Sequence, residues 1–137
     1  PEYIWNTESV DDGKYLVKVE VTDERNNPKD RALTDSKISK PVIVDNTKPV
    51  IMNIAFDGKS EYSGEVNDNF SYIARIEYSV DNQPWELVYP KDNLFDEKTE
   101  KFTVQLKNLS QGTHIITFRA WDSEGNLGTK QEEFSAK

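Results

Sequence analysis

The feature that most constrains this chain is an internal repeat. Residues 1–27 align without a gap on residues 100–126, at a constant offset of 99 (112 − 13). The aligned pairs include Gly13 with Gly112, Asp23 with Asp122, Asn27 with Asn126, Tyr3 with Phe102, Val17 with Ile116, Val19 with Phe118 and Val21 with Ala120. Because identity is low, the shared hydrophobic pattern carries the alignment, and it predicts that one folding unit is used twice.

Alternation of apolar and polar residues predicts that the repeated unit is built from strands. Residues 14–22 read KYLVKVEVT and residues 113–121 read THIITFRAW, with apolar side chains at every second position. A period of two is typical of a strand that buries one face. Further strands are predicted at 3–7, 38–44, 50–56, 73–80, 85–89 and 101–106, with a long loop over 23–37 and no helical stripe in the chain.

Many short strands separated by turn residues predict an all-β, antiparallel sandwich. Residues 48–137 hold enough strands for one complete sandwich, whereas residues 1–47 hold only the C-terminal half of another. The segment DNTKP at 45–49 reads as the junction, because Asn and Asp favour turns and Pro49 has no amide hydrogen for a sheet ladder. We therefore expect a piece of a tandem array, in which the residues preceding Tyr3 resemble residues 50–98.

The incomplete first repeat has a consequence for partners. Its predicted strands place Trp5, Val17, Val19 and Val21 on a face that the missing strands would cover. Segments this short rarely bury such a face alone. We expect the half repeat to dock on a neighbouring domain of the parent protein, or to pair with the same face of a second chain and form a dimer.

Composition excludes several classes of function. The formal net charge is −8, and a strongly acidic chain is a poor binder of phosphate backbones and anionic lipids. No apolar run approaches the roughly 20 residues that a membrane helix needs, so no membrane insertion is predicted. The absence of cysteine excludes disulfides and thiolate metal sites.

Motifs between residues 78 and 126 resemble a known class of domain. They are Tyr-Ser-Val-Asp at 78–81, Trp85, Gly-Thr-His at 112–114 and Ala-x-Asp-x-x-Gly-Asn at 120–126. Together they are similar to the immunoglobulin-like or fibronectin type III-like sandwich repeats of bacterial secreted and surface proteins. The resemblance implies a non-catalytic spacer or interaction module in an extracellular, periplasmic or cell-surface protein. The motifs are structural, and a fold by itself does not assign a function.

His114 is the single histidine, and it aligns with Tyr15. In sandwiches of this kind the position resembles the tyrosine corner, which implies a polar ring atom bonded to nearby backbone. With no cysteine and no second histidine, a hydrolase triad or a zinc site lacks members. The sequence therefore predicts no enzyme.

Acidic and amide residues recur in the predicted turns. They lie at Asp45-Asn46, Asn67-Asp68-Asn69, Asp81-Asn82, Asp92-Asn93 and Asp122-Ser123-Glu124. Calcium takes six to eight oxygens from such groups, and Asn67-Asp68-Asn69 is similar to the calcium-bridging linkers of cadherin repeats. The same residue types are the usual turn formers. Turn formation is the favoured interpretation, no cofactor is predicted, and calcium is the alternative.

Large aromatic residues supply the candidate binding surface. Trp85 alternates with Leu87 and is predicted to lie in the core, whereas Trp121 is out of phase with Phe118 and Ala120 and is predicted to point outward. Outward tryptophans can contact a protein partner or stack on a sugar ring. Trp121 is therefore the candidate contact residue. The alternative function is a carbohydrate-binding module of a polysaccharide-active enzyme, with a glycan as its ligand.

Overall fold

The structure is a computed structural model that describes residues 2–137, and every regular element in that range is a β-strand. The strands are β1 Gly13–Tyr15, β2 Lys18–Thr22, β3 Thr34–Ile38, β4 Val42–Val44, β5 Val50–Phe56, β6 Glu61–Asn67, β7 Ile73–Val80, β8 Glu86–Val88, β9 Thr99–Gln105, β10 Gly112–Asp122 and β11 Leu127–Ala136. No helix long and apolar enough to cross a membrane occurs among these residues. The chain divides into two compact units, Pro1–Val44 and Asp45–Lys137, called here the first and the second unit.

The first unit is an antiparallel hairpin. Its β1 pairs with β4, where Gly13 lies opposite Val44, and its β2 pairs with β3. Between the two ladders the amide of Ser39 donates to the carbonyl of Val17 at 2.8 Å, and the amide of Val17 donates to the Ser39 hydroxyl at 3.0 Å. The strand predicted over 14–22 is therefore present but interrupted.

Three expectations for the first unit are wrong. The predicted loop over 23–37 contains most of β3, whose sequence TDSKI is too polar to show an apolar alternation. The strand predicted over 38–44 shrinks to β4, because Pro41 cannot donate to a ladder. No strand forms over 3–7, where local turn bonds replace a ladder: the amide of Glu8 donates to the side chain of Asn6 at 2.9 Å.

Three valines in and just before β2 are open to water. The side chains of Val17, Val19 and Val21 are all exposed. The ring of Trp5 packs edge-to-face on Tyr15, with ring centroids 5.9 Å apart. The expected docking or dimer contact of this face stays a prediction.

The second unit consists of two antiparallel sheets, β5-β6-β9 and β11-β10-β7-β8. The bounds of β5 and β7 are those that the sequence predicts, and β8, β9 and β10 lie within two residues of their predictions. In β5 the register shifts between Met52 and Ala55, where Asn53 has a φ of 54°. This is a β-bulge, which the sequence pattern does not indicate.

The apolar side chains of the two sheets meet in one shared core. The fully buried members with the largest side chains are Phe102, Phe118, Ile73, Ile76, Ile116 and Val66. Phe118 of β10 lies 5.9 Å from Tyr62 of β6 and 5.3 Å from Phe102 of β9, measured between ring centroids. The predicted all-β, antiparallel fold is confirmed, and the arrangement is that of a β-sandwich.

The start of the second unit is packed tightly against its last strand. Gly128 in β11 lies so close to Pro49 that a side-chain carbon at this position would overlap the carbonyl oxygen of Pro49. The obstacle is backbone, which cannot rotate away as a flexible side chain can. Glycine at 128 therefore holds the segment before β5 against the sheet.

We expect Gly128→Ala to destabilise the chain by about 1–3 kcal/mol, because the added methyl group overpacks a close backbone contact. Urea unfolding monitored by tryptophan fluorescence measures the change. Thr129→Ala, at the exposed neighbouring position, is the matched control and should stay within about 0.5 kcal/mol of the wild type. Equal stabilities of the two variants would contradict the contact.

Candidate functional site

Three buried aspartates converge at one edge of the second unit. Asp45 precedes β5, Asp68 follows β6 and Asp122 ends β10. Pairing of Val50 with Asn67 and of Ile73 with Asp122 brings these strand ends to the same edge. One carboxylate oxygen from each aspartate lies within 4.8 Å of the others. We call these three residues the aspartate cluster.

Only one of the two carboxylate oxygens of Asp68 is hydrogen-bonded to the backbone. Its Oδ1 accepts hydrogen bonds from the amides of Phe70 at 2.7 Å and Ser71 at 2.8 Å, which closes the turn between β6 and β7. Its Oδ2 is buried and has no hydrogen-bond partner, and the residue is only 2% exposed. An unpaired buried carboxylate oxygen is costly, so this atom requires an explanation.

Asp45 is fixed by its own turn and by the β6–β7 turn. Its Oδ1 accepts from the amide of Thr47 at 3.1 Å, and its Oδ2 accepts from the hydroxyl of Ser71. Ser71 thus contacts both Asp45 and Asp68, through its side chain and its amide. This arrangement holds the two carboxylates side by side.

Asp122 closes the turn between β10 and β11. Its Oδ1 accepts from the amides of Glu124 and Asn126, both at 2.9 Å. The side-chain amide of Asn126 donates to Asp122 Oδ2 at 2.8 Å and to the carbonyl oxygen of Asp45 at 2.9 Å. Asn126 therefore ties this turn to the segment that precedes β5.

The aspartate cluster has no cationic side chain to balance it. Among residues 2–137, no lysine or arginine forms an ion pair with any of the three aspartates. Their donor atoms are all oxygens, the ligand type that hard divalent cations prefer. Each aspartate does close a turn, as the sequence predicts, but their convergence depends on strand pairing.

A second polar group lies on the outer face of the larger sheet. The Arg119 guanidinium stacks 3.8 Å from the ring centroid of Trp85 and 4.9 Å from that of Trp121. Its Nε and Nη2 atoms each lie 2.6 Å from a carboxylate oxygen of Glu77, which is 3% exposed and also pairs with Arg75. Trp121 is half-buried on this outer face, where the sequence places it. Its role as a contact residue stays a prediction.

The predicted core position of Trp85 is wrong. Its side chain is 40% exposed and covers Arg119 from outside. The inward residue of β8 is Val88, which is buried and pairs with Ile76, so Leu87 and the positions in phase with it face outward. A strand of three residues is too short for the sequence to fix which face is inside.

His114 lies at the beginning of β10 and is bound on both ring nitrogens. Its Nδ1 is 2.6 Å from Asp81 Oδ2 and its Nε2 is 2.9 Å from the carbonyl oxygen of Ser110. The hydroxyl of Tyr15 in the first unit donates to the carbonyl of Asp11 at 2.7 Å, again four residues earlier. The predicted bond from the ring at this position to nearby backbone is confirmed.

Both partners of the His114 ring are acceptors, so only the doubly protonated imidazolium satisfies them. The hydrogen bond to Asp81, aided by the one to Ser110, raises the pKa of His114, and the same hydrogen bond lowers the pKa of Asp81. With both ring nitrogens facing acceptors, His114 has no free nitrogen to take a proton from a substrate. The geometry is that of a structural ion pair.

We expect NMR titration of this single histidine to give a pKa above about 6.5, the ordinary value, and a lower pKa in Asp81→Asn. Because the folded-state pKa is raised, the stabilisation is complete below about pH 6.5 and fades as the pH rises through the folded-state pKa. Urea unfolding should therefore separate wild type from Asp81→Asn more at pH 6 than at pH 9. Asp92→Asn is the control, because it removes a turn carboxylate elsewhere and should leave the pKa of His114 unchanged. A His114 pKa at or below about 6.5 in the wild type would refute the ion pair.

No protein-family model matches this chain, and no curated protein sequence matches it. We therefore infer the function of the chain from the contacts among residues 2–137.

Proposed function

We propose that the chain is a non-catalytic, immunoglobulin-like spacer and interaction module of a larger secreted, periplasmic or cell-surface protein. The immunoglobulin-like part of this proposal is supported by the strand order of the second unit, and its non-catalytic part by the polar contacts described below. Its first, second and fifth strands (β5, β6, β9) share one sheet, and its third, sixth and seventh (β7, β10, β11) share the other. Immunoglobulin-like sandwiches distribute the corresponding strands in this way. The fourth strand, β8, joins the sheet of the third, as in fibronectin type III-like domains.

The first unit supports a repeated module. Gly13 lies opposite the end of its hairpin at Val44, as Gly112 lies opposite Ala136. In the turn that follows, Asn27 donates to Asp23 at 2.7 Å, as Asn126 donates to Asp122 at 2.8 Å. We infer that this hairpin corresponds to the last two strands of a second sandwich of the same kind.

The hydrogen bonds and ion pairs of the buried polar side chains favour a non-enzymatic role. His114 is bound on both sides by Asp81 and the Ser110 carbonyl, and Glu77 is bound by Arg75 and Arg119. A general base needs an unshared electron pair that faces the substrate. These groups instead hold the loops and the outer face in place.

A chain extended upstream tests the repeat. If residues before Tyr3 supply the remaining strands, they will cover the first unit, and amide hydrogen exchange over residues 14–22 will be slower than in the present chain. Exchange over residues 113–121, inside the complete second unit, is the internal control and should not change. Unchanged exchange over 14–22, together with an upstream sequence unlike residues 50–98, would refute the tandem module.

The second candidate function is carbohydrate binding on the outer face. It is favoured by the exposure of Trp85 and Tyr89 and by half-buried Trp121, which contacts the same guanidinium as Trp85. It is disfavoured by the position of Arg119, because this guanidinium already occupies one face of the Trp85 ring and contacts Trp121. A protein contact, which uses ring edges as well as faces, fits this surface better.

We expect a glycan array to show no specific binding by the chain. Specific binding that is lost in both Trp121→Ala and Trp85→Ala would contradict the spacer proposal and establish the carbohydrate-binding alternative. Trp5→Ala is the matched control, since it removes an equally large ring from the first unit. Circular dichroism of each variant verifies that the strands persist.

A further inference from the structure

We propose that Asp45, Asp68 and Asp122 bind one calcium ion. The decisive observation is that the Oδ2 atom of Asp68 is buried without a hydrogen-bond partner, in a residue with a carboxylate oxygen within 4.8 Å of one from Asp45 and one from Asp122. The site is independent of the spacer function, because it rests on contacts within the second unit alone.

Electrostatics favours a bound cation at this position. Three carboxylates with oxygens within 4.8 Å of one another repel when all are ionised, and burial weakens the screening by water. All three are buried, with exposed fractions of 7% for Asp45 and 2% for Asp68 and Asp122. Hydrogen bonds from backbone amides offset part of this cost but leave Asp68 Oδ2 unpaired. A cation bound to this oxygen removes both the repulsion and the unpaired atom.

The spacing of the cluster fits a single ion. Calcium binds oxygens at about 2.3–2.6 Å, so two ligands of one ion lie at most about 4.6–5.2 Å apart. The three carboxylate oxygens meet this limit as they stand. Asp45 Oδ2 accepts from Ser71 and Asp122 Oδ2 accepts from Asn126, and each of these two oxygens keeps a second lone pair for a metal.

The donor set selects calcium over other common cations. Zinc prefers nitrogen and sulfur, but the chain has no cysteine, and its one histidine lies eight residues along β10 from Asp122, about 26 Å at the usual rise per residue. Magnesium demands near-ideal octahedral geometry and keeps much of its water. Three carboxylates from three separate segments of the chain suit the flexible coordination of calcium, with water completing its shell.

Calcium at the aspartate cluster would cross-link three segments of the second unit: the residues before β5, the β6–β7 turn and the β10–β11 turn. Asn126 and Ser71 already join the same segments by hydrogen bonds. The ion would therefore stabilise the edge of the sandwich at which the chain enters. Binding to the folded state alone raises stability in proportion to the logarithm of the calcium concentration.

The test is a calcium titration of the full chain after treatment with a chelator. Isothermal titration calorimetry should show one calcium per chain, and the Tm should rise by about 5 °C or more at a calcium concentration tenfold above the dissociation constant. Asp68→Asn should weaken calcium binding at least tenfold. In chelator it should have a Tm equal to or above that of the wild type, because it keeps the Oδ1 acceptor and removes one repelling charge.

Asp57→Asn is the matched control. Asp57 also closes a turn of the second unit, with its Oδ1 accepting from the amides of Lys59, Ser60 and Glu61 at 2.8–2.9 Å, but it is not a member of the cluster. This variant should keep the full calcium response. The proposal is overturned if wild type shows neither heat nor a Tm shift with calcium, if Asp68→Asn responds like wild type, or if magnesium at equal concentration stabilises the chain as much as calcium.

Discussion

Phe118 packs against Tyr62 and Phe102 of the opposite sheet, and this contact between aromatic rings joins the two layers of the second unit. Because side chains alternate along a strand, an inward Phe118 requires an outward Arg119 and an outward Trp121. A slip of one residue in β10 would bury the guanidinium and expose the core ring. The packing of the core therefore also positions the outer face.

Sequence patterns predict the strands that alternate strongly and miss those that do not. The sequence does not predict strand β6, because Gly64 stands between its two apolar residues. Glycine is nevertheless required there, since a side-chain carbon would lie 2.5 Å from Phe102 and from Ile54. In β11 the charged residues Lys130 and Glu132 stand in phase with Phe134, its one large core residue, so no apolar alternation is visible. Both strands are determined by what they pair with and pack against, which are properties of the tertiary structure.

The candidate functional residues likewise include some whose position the sequence predicts and some whose position it does not. The outward position of Trp121 follows from local alternation and is predicted, whereas that of Trp85 depends on how the short edge strand β8 joins β7 and is not. Each aspartate of the cluster is recognisable as a turn former from its neighbours in sequence. The chain separates Asp45 from Asp122 by most of the second unit, so only the completed ladders bring the three carboxylates together.

The two ends of β10 balance charge differently. At its beginning, Asp81 faces His114, which can take up a proton and become the counter-ion, so that end neutralises itself. At its end, Asp122 faces two further carboxylates and hydrogen bonds from neutral amides. Hydrogen bonds from amides stabilise these carboxylates, but they bring no positive charge to the cluster and leave Asp68 Oδ2 without a partner. The two ends of one strand thus differ: the first carries its own counter-ion, and the second is the site to which we assign calcium.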